Sequence, residues 1–172
     1  MAKKFYYDSV DLLDATITAG NRVINSETGG ISFSVSASEI TNEHYITDQS
    51  IASAVTDYDD ESTTRVDLRE AKAVSHILIH NNVGDENNFH VYQSSNGTSS
   101  LSSFGNTLTT TVKGWNLITG SSTHTKRYFF LSSVDGDYSG LTEVIMGVPL
   151  EFENEPDIGI ATQEIFATDI NT

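Results

Sequence analysis

Between Arg65 and Gly147 the chain alternates short β-type runs with Gly-, Ser-, Asn- and Asp-rich breaks, and it contains no helical stretch. The runs begin at RVDLREAKAVSHILIHNN and continue with FHVYQSS, GWNLI, RYFFLSS and LTEVIMG. The runs carry the β-branched and aromatic residues that suit a pleated surface. Runs of this kind bury their greasy faces by stacking, so the pattern predicts an all-β, antiparallel β-sandwich. Ser and Thr supply roughly a quarter of the 172 residues, which suits short strands and polar loops and argues against a helical bundle.

Individual runs show which faces are buried. Ala73 to His80 is the central strand: Val74, His76, Leu78 and His80 fall on one face, and Ala73, Ser75, Ile77 and Ile79 on the other. Both faces carry apolar groups, so it is expected to be covered on both sides. Ile31, Phe33 and Val35 alternate with serines and predict a half-buried strand over 31–36. Phe89–Gln93, Gly114–Ile118, Arg127–Ser132 and Leu141–Met146 are read as separate strands, Thr107–Val112 as an edge strand and Thr119–Thr125 as a loop. Ser50–Val55 reads as a helical turn or a short strand, within a loop region over 37–63.

The sandwich is placed at 31–147, with an N-terminal lead-in over 1–30 and an extended C-terminal arm over 148–172. The arm contains both prolines, Pro149 and Pro156. Proline lacks the ladder donor, so neither belongs in a central strand.

Composition removes several functions. There is no cysteine, which excludes disulfides, thiolate metal sites and Cys nucleophiles, and suits folding in a reducing cytoplasm. The start, Met1–Lys4 followed by Phe5–Tyr7 and Asp8, shows no apolar signal region, and no run is long enough to span a bilayer. A net charge of −15, from 24 acidic and 9 basic residues, opposes binding to nucleic acid or to an anionic membrane. Such acidity is read first as a solubility device, and otherwise as adaptation to salt or as calcium binding.

Few residues invite chemistry. Asp57, Asp59 and Asp60 offer oxygen ligands for a structural calcium, although their spacing is not that of an EF-hand and a solvated acidic loop is the plainer reading. Tyr58, among these acids, is the exposed aromatic expected to stack on a sugar, whereas Trp115 is read as core. His76 and His80 lie four residues apart on one strand, about 13 Å, too far to share a zinc. No Gly-x-Ser-x-Gly elbow is present. Glu143 stands out within an apolar run, and a surface-facing or hydrogen-bonded place on the closing strand is expected for it. The chain is therefore read as a non-enzyme without a cofactor, apart from the calcium just named.

The order Asp67-Leu68, Ala71-Lys72, Val74–Asn81, Gly114–Leu117, Arg127–Leu131 and Glu143–Gly147 resembles the discoidin or coagulation-factor type C domains, the galactose-binding-like group of jelly-roll sandwiches. The resemblance implies binding rather than chemistry, and a structural calcium near a loop. The segment Phe152–Ile160, with its Asn-Glu-Pro-Asp-Ile-Gly core, is similar to one that follows such a sandwich in proteins of tailed bacteriophages and archaeal viruses. It implies a virion structural component, tail- or baseplate-associated and made in the host cytoplasm. Its partners would be copies of itself and other virion proteins, gripped through Phe152, Pro156, Ile158, Ile160 and Phe166. The alternative reading is a carbohydrate-binding module for a cell-surface glycan.

Overall fold

The computed structural model describes residues 4–35, 40–56, 61–82, 89–105, 107, 113–134, 140–150, 162–166 and 170–171, with backbone alone for 4–9, 150, 162–166 and 170–171. It is an all-β structure. The strands are β1 (Lys4–Ser9), β2 (Thr16–Ile24), β3 (Ile31–Ser34), β4 (Ser62–Asn81), β5 (Phe89–Ser94), β6 (Ser102–Ser103), β7 (Gly114–Ser133), β8 (Leu141–Leu150), β9 (Thr162–Phe166) and β10 (Ile170–Asn171). A 3-10 turn, Glu43–Thr47, precedes β4.

Two long strands organise the sandwich. The first part of β4 pairs with β2, from Thr16↔Asp67 to Asn21↔Ser62, and with the second part of β7, from Thr63↔Ser132 to Asp67↔Tyr128. The later part of β4 pairs with the first part of β7, from His76↔Thr119 to Asn81↔Gly114, and with β8 on its other side. Each long strand therefore serves both layers. One layer runs β6-β5-β7-β4-β2-β3, and the other continues β7-β4-β8-β1-β9, with β10 alongside β7.

The interior is filled from both layers. Val66, Leu68, Phe89, Val91, Phe129 and Leu131 come from the first, and Ile77, Ile79, Ile118, Val144 and Met146 from the second; all belong to one buried cluster. Burying each such side chain contributes on the order of 1.5–3 kcal/mol. The outer faces carry separate, smaller clusters. Phe33, Tyr92, Leu101 and Phe130 lie outside the first layer, and Leu78, Ile145, Trp115 and Leu117 outside the second. On the first, Phe33 lies flat over Gly20, where an added Cβ would come within 2.5 Å of the ring.

Several expectations change. The strands read at Gly114–Ile118 and Arg127–Ser132 are one strand, because β7 resumes its pairing with β4 at Val74↔His124, Ala73↔Thr125 and Lys72↔Lys126 after residues 120–123 bulge out without a β4 partner. The Ser/Thr stretch stays polar because it is largely exposed where β7 passes between layers, not because the strand ends. Val74 was placed on the face of His76, yet it points into the interior with Ile77. The register irregularity between Val74 and His76 reverses the alternation there. Ser50–Val55 forms neither helix nor strand and makes one bridge, Val55↔Leu141.

Both ends of the chain join the sheet. Within 1–30, β2 is an internal strand between β3 and β4, and β1 pairs with β8. Within 148–172, β8 runs on to Leu150, and β9 pairs antiparallel with β1 of the same chain, from Lys4↔Phe166 to Asp8↔Thr162. Pro149 is accommodated because the pairing of β8 with β4 ends at Gly147; beyond it only β1 is a neighbour, with Tyr7 opposite Pro149.

Candidate functional site

Three adjacent strands align one chemical row on the outer face of the second layer. In register, Trp115 of β7 stands opposite His80 of β4, and His80 opposite Glu143 of β8. Directly paired side chains of this kind sit about 5 Å apart. The next row, Leu117, Leu78 and Ile145, is apolar and forms its floor.

Each member of the polar row is held in place. The His80 ring meets Trp115 edge to face, with centroids 5.0 Å apart and planes at 73°. Thr142 occupies the register irregularity opposite His80 and Asn81. Its hydroxyl donates to the His80 carbonyl at 3.2 Å, so its oxygen accepts from His80 Nδ1–H at 2.7 Å. That pairing puts the ring proton on Nδ1 and leaves Nε2 an acceptor. Burial holds the His80 pKa below the ordinary imidazole value, which favours this neutral form.

Glu143 is 8% exposed, and its Oε2 has no hydrogen-bond partner. Burial pushes its pKa up to about 7, helped by the charge of Asp48, while the backbone N–H groups of Val144, Gln49 and Ser50 pull the other way. The loop carrying Asp48 to Ser50 is anchored from both sides. Ile46 of the 3-10 turn is fully buried. Val55 N–H donates to Leu141 O at 2.8 Å, and Gly140 N–H to Val55 O at 3.2 Å. Within the loop, Ser50 N–H donates to Asp48 Oδ1 at 2.8 Å. An indole, an imidazole acceptor and a carboxylate with one oxygen unpartnered, side by side, suit a ligand with an apolar ring face and several hydroxyls.

Asp57, Tyr58, Asp59 and Asp60, like Phe152, Pro156, Ile158 and Ile160, lie outside the described residues. Phe166 is described by backbone alone, opposite Lys4. Among the described residues no group of three His, Cys, Asp or Glu side chains is placed to hold a metal. Two histidines are bound to neutral partners: His76 Nδ1 to Ser75 Oγ at 2.8 Å, and His124 Nε2 to the Phe104 carbonyl at 3.0 Å.

Trp115, expected in the core, is partly buried on an outer face. Glu143 was expected to be surface-facing or hydrogen-bonded; it is buried, with the backbone N–H groups of Val144, Gln49 and Ser50 bonding its carboxyl and Oε2 left without a partner. What sequence reading missed was the row itself. Residues 80, 115 and 143 meet only through strand register, although an acid within an apolar run was a usable signal.

No protein-family model matches the chain, and no curated protein does. Solved structures match its fold. The family 32 carbohydrate-binding module of NanJ from C. perfringens, solved with galactose, aligns at TM-score 0.56 and 16% identity, covering 82% of this chain and 98% of that one. The CBM32 of AlyQ, solved with 4,5-unsaturated mannuronic acid, aligns at TM-score 0.56 and 15% identity, covering 85% of this chain and 98% of that one. A family 89 glycoside hydrolase from Clostridium perfringens aligns at 0.57 and 15% identity, over 87% of this chain but 16% of the hydrolase. At such identities the likeness is one of fold: the chain shares the all-β sandwich of these modules.

Proposed function

We propose that this chain is a non-catalytic carbohydrate-binding module that holds sugar on the outer face of its second layer. The observation that carries the reading is the row of Trp115, His80 and Glu143, on a sandwich of the kind solved with bound saccharides. Trp115 supplies the surface on which the C–H face of a pyranose stacks. Glu143 Oε2 and His80 Nε2 accept hydroxyl protons that no described residue supplies.

The virion reading rests on residues 152–160, outside the described residues, and none of the structural neighbours quoted above is a virion protein. The calcium reading rests on 57–60, also outside them.

Isothermal titration with a panel of neutral and acidic mono- and oligosaccharides tests the proposal. At least one saccharide is expected to bind the wild type, and Trp115→Ala is expected to weaken it about tenfold or more, since stacking and polar contacts of this size are worth above 1 kcal/mol. A panel without binders, or equal affinity in the variant, rejects the site.

A further inference from the structure

The opposite outer face holds an arginine in an unusual setting. Arg22 leaves β2 and reaches across β4 and β7 to Tyr92 of β5. Beneath it Thr63 and Ser132, both fully buried, share a hydroxyl–hydroxyl hydrogen bond at 2.9 Å. Arg22 is 9% exposed, yet among the described residues its guanidinium has one acceptor, the Tyr92 hydroxyl, at a long 3.3 Å from Nη1. Its Nε is buried without a partner. The Tyr92 ring lies 6.0 Å from Cζ, at the outer limit of a cation–π contact.

Other cations in the chain are better met. Arg127 holds Asp67 through two bonds, at 2.7 and 2.9 Å. Lys72 pairs with Glu70. Arg65, on the same outer face as Arg22, donates to the Gly97 carbonyl at 2.9 Å and to Thr18 Oγ1 at 3.3 Å, and stacks over Phe33. No described carboxylate pairs with Arg22. A buried cation left this way is costly, and the cost is recovered when an anion arrives.

We propose that Arg22, with the Tyr92 hydroxyl and the His90 ring beside it, forms a second binding site that takes a carboxylate or sulfate group carried by a saccharide. The carrier class rests on the carbohydrate-binding reading above; the anion preference rests on Arg22 alone. The guanidinium fork matches both oxyanions. A saccharide-borne anion is favoured over a free one, because the net charge of −15 repels small anions at long range and further contacts are needed to offset that.

His90 stacks on Tyr92 with centroids 4.4 Å apart, and its nitrogens bond the hydroxyls of Thr107 and Ser103, the latter at 2.8 Å. Burial, and then the nearby Arg22 charge, hold its pKa below the usual value. An anion on Arg22 would cancel the second effect, so His90 reports occupancy.

The test compares wild type, Arg22→Met and Arg22→Lys with galactose, galactose 6-sulfate, digalacturonate and inorganic sulfate. Met retains the hydrocarbon reach over Thr63 and Ser132 while removing an unpaired charge, so that variant is expected to melt no lower than wild type. The wild type is expected to bind an acidic saccharide about tenfold tighter than galactose, with the NMR titration midpoint of His90 rising on binding. Arg22→Met should lose both effects and keep any galactose affinity, and Arg22→Lys should retain part of the preference without the bidentate fork. Equal affinity for acidic and neutral sugars, or a preference that survives Arg22→Met, overturns the site. Inorganic sulfate acting as strongly as the sulfated sugar overturns the saccharide part. Galactose binding without acidic preference leaves the carbohydrate reading standing while this one falls.

Discussion

At the scale of single residues, Glu143 shows how burial and register together make a group that composition cannot reveal. Its pKa is raised to about 7 from an ordinary 4.5, so the folded state holds a proton that the unfolded chain releases. Its contribution to stability is therefore greatest below pH 4.5, falls as pH rises, and is lost above about 7. The histidines work the other way. Burial lowers the pKa values of His76, His80 and His90, so their contribution grows as pH rises from the lowered folded value towards the usual imidazole value and is complete above it. Comparing wild type with Glu143→Gln isolates the first effect. Urea unfolding at pH 5 and pH 8 is expected to show the wild type losing on the order of 1–2 kcal/mol more than the variant, after allowance for solvent screening. Equal losses in the two proteins would show that the carboxylate is better satisfied than its geometry indicates.

At the scale of elements, the strands were legible but their joins were not. Ile77, Ile79, Phe129 and Leu131 announce themselves because an apolar side chain repeats every second residue. The passage of β4 and β7 from one layer to the other is silent, since Thr119 to Thr125 reads wholly as a loop, whereas Thr119, His124 and Thr125 pair with β4 and 120–123 bulge out between them. Alternation reports which face is buried, and it reports nothing where neither face is. That passage is instead braced by polar groups. The β4–β7 register breaks between Asp67 and Lys72, and Arg127 grips both oxygens of Asp67 there, while Arg69 N–H donates to the same carboxylate at 2.8 Å. Arg69 adopts a left-handed φ of 69° to do so. The Arg127 hydrogen bond, with help from Arg69, holds the Asp67 pKa below its ordinary value. Its stabilisation is thus present at neutral pH and lost as pH falls below about 4. Asp67→Asn is expected to cost on the order of 1–2 kcal/mol at pH 7 and little at pH 3, the part-exposed site keeping the figure modest. A variant as stable as wild type at pH 7 would mean that the corner holds by its backbone alone.

At the scale of the whole molecule, the C-terminal segment changes what assembly should look like. Its sequence, with two prolines and spaced apolar residues, suggested an arm reaching a neighbouring subunit, so that deleting it would abolish association. In the structure Thr162–Phe166 instead adds to β1 of its own chain, and the edge that β1 would offer is already taken. Proline spacing reveals that a segment is not a core strand, but it carries no information on whose sheet edge the segment meets. The expectation for truncation accordingly reverses. The 172-residue chain should run as a monomer in size-exclusion chromatography with light scattering. Chain ending at Leu150 should keep its interior, since Val66, Ile77, Phe129 and Met146 all precede the cut. It should also expose the N–H and C=O row of β1 between Lys4 and Asp8, and associate more strongly with rising concentration through that unpaired edge. A 172-residue chain that assembles, together with a truncated one that stays monomeric, would return the segment to a role between subunits and revive the reading of this chain as part of a larger particle.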